Sequence, residues 1–129
     1  MNKILVEVSV GELLDRISIL EIKKEKISNP ESIKFIEKEY LILKDQLNKN
    51  IKSDKKLEEF FNNLKKTNLK LWSIEDDKRM CEKSSDFGEK FIKLSREIHF
   101  LNDNRSKVKL EINKYTGSQI REIKQYTNY

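Results

Sequence analysis

Apolar residues recur along most of this chain at alternating steps of three and four, the repeat of one helix face. The first such stretch, "VSVGELLDRISILEIKKEKI", is apolar on two sides rather than one. At about 100° per residue, Leu13, Leu14, Ile17, Leu20 and Ile27 fall on one side, and Ile19 and Ile22 fall nearly opposite. A helix apolar on both sides is central or contacts two partners. The opening "SVGE" is a capping box, with Ser9 as the cap and Glu12 three residues on. "SNPE" restarts the chain, with Asn29 as cap and Pro30 at the first helical position.

The second stretch carries Ile33, Ile36, Tyr40, Leu43 and Leu47, a seam of heptad type. It fades at "NKNIKSD". The third stripe is Leu57, Phe60, Phe61, Leu64, Leu71 and Ile74, starting from Ser53 or Asp54 and fraying at "KSSDFGE". The fourth begins at Asp86 and Glu89 and continues through Phe87, Phe91, Leu94, Ile98, Leu101, Val108 and Ile112 to Gly117. The pattern predicts one all-α domain over 1–129, an antiparallel bundle of helical hairpins. Its helices are expected at 9–28, 30–50, 54–83 and 86–116, the last two long, with a short helix or tail at 118–129. Residues 1–8 form an extended arm whose "KILVEV" is β-prone; a lone strand must pair with a second copy or the C-terminal tail, or not form.

Composition narrows the class. Among 129 residues, 3 Gly and 1 Pro leave too few turn signals for a β-rich fold. No run is apolar enough for a membrane span or signal peptide, and a lone Cys81 with a lone His99 builds neither a disulfide framework nor a zinc site. A cytoplasmic protein with no cofactor is expected. The net charge of +5 permits an acidic partner. Because nearly every basic group has an acid within one turn, nucleic acid is not the favoured one.

The informative residues are the polar ones inside the stripes. Asp15 lies on the face of Ile19 and Ile22, where an isolated carboxylate is costly, so a basic residue of another helix or chain must meet it. On the third helix, Asn68, Glu75 and Arg79 fall within about 40° of the apolar line, with Trp72 at its edge. Glu75 and Arg79 are one turn apart and can pair. On the fourth, Arg105 breaks the stripe, flanked by Asn102 and Lys109. A hairpin near Ser85 gathers these residues.

Two readings follow. One is a buried polar layer that fixes register and partner choice in a homo-oligomeric assembly module. The other is a ligand site for a carboxylate or phosphate metabolite. There Arg79, Arg105 and Lys109 hold the anion, Asn68 and Asn102 orient it, and Asp15 or Glu75 acts as acid or base. No metal is expected. The carboxylates of Asp76 and Asp103 are the groups a divalent ion would use, but their helical positions point outward. "DFG" at 86–88 is a helix start, since the other kinase motifs are missing.

Together, "VSVGELLDRISILEIKKEKI", "LWSIEDDKR", "DFGEKFIKLSREI" and "NDNRSKVKLEIN", followed by "GS" and "EIKQY", resemble a small family of bacterial and phage proteins with no assigned function. The resemblance spans all but about residues 44–66. It implies a common fold and no activity. Its motifs fall on Ser9, Gly11, Glu12, Asp15, Trp72, Glu75, Asp76, Asp86, Asn102, Asp103, Arg105, Lys109 and Asn113, which brings a site using Asp76 and Asp103 into consideration. A looser similarity, of architecture alone, is to the helical chorismate mutases, whose first-helix basic residues have no counterpart here.

Overall fold

The computed structural model describes residues 2–129; residue 1 of the expected arm lies outside them. Four helices make an all-α bundle: α1 (Val10–Lys26), α2 (Pro30–Asn50), α3 (Lys55–Lys83) and α4 (Glu89–Thr116). Helix α1 packs against each of the other three, and α3 and α4 form the longest contact. That central position is what the two-sided pattern demands. Leu14 and Ile17 are buried on one side and Ile22 on the other, while Arg16 keeps a narrow strip of the helix in solvent.

The α3–α4 hairpin runs antiparallel. Phe60 meets Tyr115 edge to face, Thr67 accepts a hydrogen bond from Asn104, and the Lys78 ammonium lies over the Phe91 ring. Leu14, Leu57, Leu64, Val108 and Ile112 form the buried core where α1, α3 and α4 meet. At roughly 1.5–3 kcal/mol for each fully buried aliphatic side chain, this cluster is the main source of cohesion. Helix α2 packs on α1 alone, seated by Ile36, while its other seam residues are half-buried. The Tyr40 hydroxyl donates to Glu21 and the Lys24 ammonium sits over the Tyr40 ring, so polar groups hold what little core cannot.

Local chemistry sets the helix ends. Ser9, Asn29 and Asp54 each accept from a first-turn N–H of α1, α2 and α3. Helix α1 stops at Lys26, two residues before the expected 28, because Ile27 turns extended. Helix α4 starts at Glu89 rather than 86. Ser85 adopts a left-handed φ of 55° and Asp86 N–H bonds back to Cys81 O, a Schellman-type stop. Asp86 then accepts from Gly88 N–H, closing a turn and leaving α4 without a side-chain cap. Gly117, at φ 69°, ends α4. Residues 118–129 form a tail without regular structure.

Among the described residues, the β-prone "KILVEV" forms no strand. Ile4, Leu5 and Val6 stand 89%, 88% and 70% exposed. No described helix is long and apolar enough to cross a membrane.

Candidate functional site

The N-terminus of α1 is clasped by α4. Four N–H groups at a helix start lack intrahelical partners. Here Val10 N–H donates to Ser118 Oγ (3.4 Å), Gly11 N–H to Asn113 Oδ1 (2.7 Å) and Glu12 N–H to Ser9 Oγ (3.1 Å). A β-carbon at Gly11 would lie 2.6 Å from the Lys109 carbonyl oxygen, so only glycine lets the two backbones come this close. Asn113 is 2% exposed and belongs wholly to this clasp.

One turn along, Asp15 is 1% exposed and meets Arg105 face on. Arg105 Nε donates to both carboxylate oxygens (3.0 and 3.2 Å) and Nη2 to Oδ2 (2.5 Å). Asn68 Nδ2 donates to Asp15 Oδ1 (2.8 Å) and to Ser18 Oγ (2.9 Å), and Ser18 Oγ donates to the Asp15 carbonyl (2.7 Å). The Asp15 hydrogen bonds hold the Arg105 guanidinium above its ordinary range, against the pull of burial. Among the described residues, no buried side-chain polar atom lacks a partner. Asp15, expected as an acid or base, is therefore sealed beneath Arg105 and Asn68.

Lys109 turns away from this group. Its ammonium bonds Glu12 (2.7 Å) and the tail's Glu122 (3.1 Å), and lies 3.8 Å from Asp15. Burial would lower the Lys109 pKa, but bonds to Glu12 and Glu122 and the nearby Asp15 charge raise it. Burial likewise pushes Glu12 up, and the hydrogen bonds and charges of Lys109 and Arg16 bring it below its ordinary value. Lys109 is a structural clasp between α1, α4 and the tail, not part of the cleft described next.

That cleft, of about 410 Å³, opens between α1, α3 and α4. Asn68, Trp72, Glu75, Asp76 and Arg79 line it from α3, Asn102 and Arg105 from α4, and Ile19, Ile22 and Leu71 from the apolar faces. Seven polar or aromatic residues singled out by sequence pattern thus come together. Asp76 stays exposed, as its helical position predicts, and stands at the rim of the cleft. Glu75 and Arg79 make no ion pair within 4 Å among the described residues, and neither does Asp76. Arg105 forms part of the wall: Nε and Nη2 are committed to Asp15, and Nη1 has no partner among the described residues.

Asp103 lies on another face of α4, where it accepts from the Tyr129 hydroxyl. His99 and Phe100 stack with Tyr129 beside it. Asp76 and Asp103 line separate hollows, so they do not form one metal site. Among the described residues, no three His, Cys, Asp or Glu side chains gather as a metal would require. Residues the stripes did not single out are Ser18 and Thr67, small polar groups buried at the helix crossings. Their signal was only their place in an apolar run.

The chain belongs to the DUF6165 family, a family of unknown function whose profile matches residues 4–129. The motif-based resemblance also pointed to a family without assigned activity. No curated protein and no solved structure matches the chain.

Proposed function

We propose that this helical module binds a small molecule in the α1/α3/α4 cleft, and that the Asp15–Arg105 pair holds one wall of that cleft in place. One observation carries the reading. A cavity of about 410 Å³, with apolar walls and a few converging polar groups, sits directly over a fully satisfied buried network. The network supplies rigidity, and the unpaired groups at the rim supply recognition. The register-lock and ligand-site readings of the sequence then apply to adjoining layers of one site.

Trp72 is the chain's single tryptophan, so its indole N–H reports on the cleft without interference. A fragment screen by two-dimensional NMR should give hits that shift the Trp72 indole and the Arg79 side-chain signals together. Trp72→Ala should abolish those hits. Hits that shift only signals elsewhere would sink the reading.

A second reading concerns self-association, and the bare arm favours it. Ile4, Leu5 and Val6 are consecutive apolar residues with no cover in one chain. A second copy supplies an equal and complementary arm, giving a homodimer. Sedimentation should show a dimer that becomes monomeric when residues 2–8 are deleted; a monomeric full chain would end this reading.

A further inference from the structure

We infer that the α1/α3/α4 cleft takes an ammonium-bearing molecule with an apolar body, rather than the anionic metabolite its arginines first suggest. The inference rests on the cleft being a binding site and goes on to its charge. Arg105 is the most central cation, but its charge is already compensated by Asp15 through three hydrogen bonds inside the fold. What remains at the rim is Glu75 and Asp76 against Arg79, two carboxylates to one guanidinium, none paired within 4 Å among the described residues. The wall therefore carries a net charge of about −1 where a ligand would sit.

An anion would meet that net repulsion and would find only Nη1 of Arg105 open, on a guanidinium whose charge Asp15 already offsets. An uncharged apolar ligand would gain nothing from the two carboxylates at the rim. An ammonium satisfies them, and the Trp72 ring beside them adds attraction for a cation. The apolar body is called for by Ile22 and Leu71, buried residues whose side chains form the cleft's hydrophobic lining. Two sources share this chemistry: a free amine, and an amino acid whose carboxylate would reach the unpartnered Nη1 of Arg105.

The test uses four probes with one phenyl body: phenethylamine, L-phenylalanine, 3-phenylpropionate and 2-phenylethanol. Each is titrated into the full chain while the Trp72 indole signal is followed. Phenethylamine should bind at least tenfold more tightly than 3-phenylpropionate. Glu75→Gln with Asp76→Asn, both on exposed positions, should remove that preference while leaving the urea midpoint unchanged. L-phenylalanine binding better than phenethylamine would identify the amino acid as the source, and the reverse order the free amine. Propionate binding as well as the amine, or a double variant that keeps the preference, would overturn the charge inference while leaving the cleft as a site. If no probe moves Trp72, the cleft reading and the inference fall together.

Discussion

Arg105 of α4 and Asp15 of α1, ninety residues apart in the chain, face each other with both carboxylate oxygens engaged and the acid 1% exposed. A buried pair of this kind is a poor source of net stability, because taking two charges from water offsets most of their attraction. It is an effective source of specificity. A slip of α1 against α4 takes the fully buried Asp15 away from the two-pronged Arg105 contact, so the pair favours this register.

That asymmetry is measurable. Arg105→Leu leaves Asp15 with Asn68 as its only near donor and Lys109 at 3.8 Å, so urea unfolding should show a loss of about 3–5 kcal/mol. Asp15→Leu with Arg105→Met removes both charges and keeps the volume, and should cost much less than the single change. A double variant as unstable as Arg105→Leu would mean that the pair itself, rather than its completeness, stabilises the fold.

The close approach at Gly11 makes a second prediction. In an open helix, Gly→Ala gains about 0.5–1 kcal/mol. At Gly11 the new methyl would meet the Lys109 carbonyl at 2.6 Å, and backbone at both sides must move. Gly11→Ala should therefore destabilise, by about 1–3 kcal/mol as for other overpacked sites. At Gly88 the nearest atom is a side-chain oxygen at 3.4 Å, so Gly88→Ala should be nearly neutral. Thermal unfolding of the two variants side by side distinguishes a packing constraint from a general glycine effect.

Ser85 gives the opposite sign. Its φ of 55° places a non-glycine residue in the left-handed region at the end of α3. This conformation costs an L-residue about 1–2 kcal/mol that glycine is spared. Ser85→Gly should raise stability by about 1 kcal/mol, less the entropy that glycine adds to the unfolded chain. An unchanged or lower melting temperature would show that the Ser85 side chain makes up the difference.

Much of this architecture was legible because it depends on azimuth within one helix. The 3.6-residue repeat put Asp15 among isoleucines and Arg105 inside a leucine stripe, and the cost of an unpaired buried carboxylate required that something like Arg105 meet it. The repeat says nothing of where a neighbouring helix crosses. Lys109 flanks Arg105 on the same stripe, yet it reaches Glu12 and the tail, because α4 passes the start of α1 at that level. The cleft, too, exists only where α1 and α4 leave a gap beside α3, which the pattern of a single helix cannot show. The Gly11–Asn113 clasp was hidden for the same reason: a capping box accounts for a glycine after the cap without revealing that another backbone needs the space. The Asp86–Glu89 spacing misplaced the start of α4, since Asp86 closes the turn that Ser85 initiates instead of capping the helix.

The clasp between α1, α4 and the tail should open with acid. Glu12 has a folded pKa below its ordinary 4.5, so its contribution to stability is present above that value and is lost as the pH falls through the lower, folded one. Lys109 has a folded pKa above its ordinary 10.5, so its contribution is present below that value and is lost only as the pH rises past the folded one. The window in which both hold thus runs from about pH 4.5 to about pH 10.5. Glu122 is lowered chiefly by its hydrogen bond to Lys109, so the tail shares the acid edge of the window. Below pH 4 the melting temperature should fall and the amides of 118–129 should exchange faster, with the tail released before the bundle unfolds. Glu12→Gln should flatten the acid loss of melting temperature, since its uncharged side chain no longer titrates. Glu122→Gln should release the tail at neutral pH and leave the bundle nearly as stable, because this residue touches Lys109 from the exposed side only. Equal acid sensitivity in wild type and Glu12→Gln would place the titrating group elsewhere.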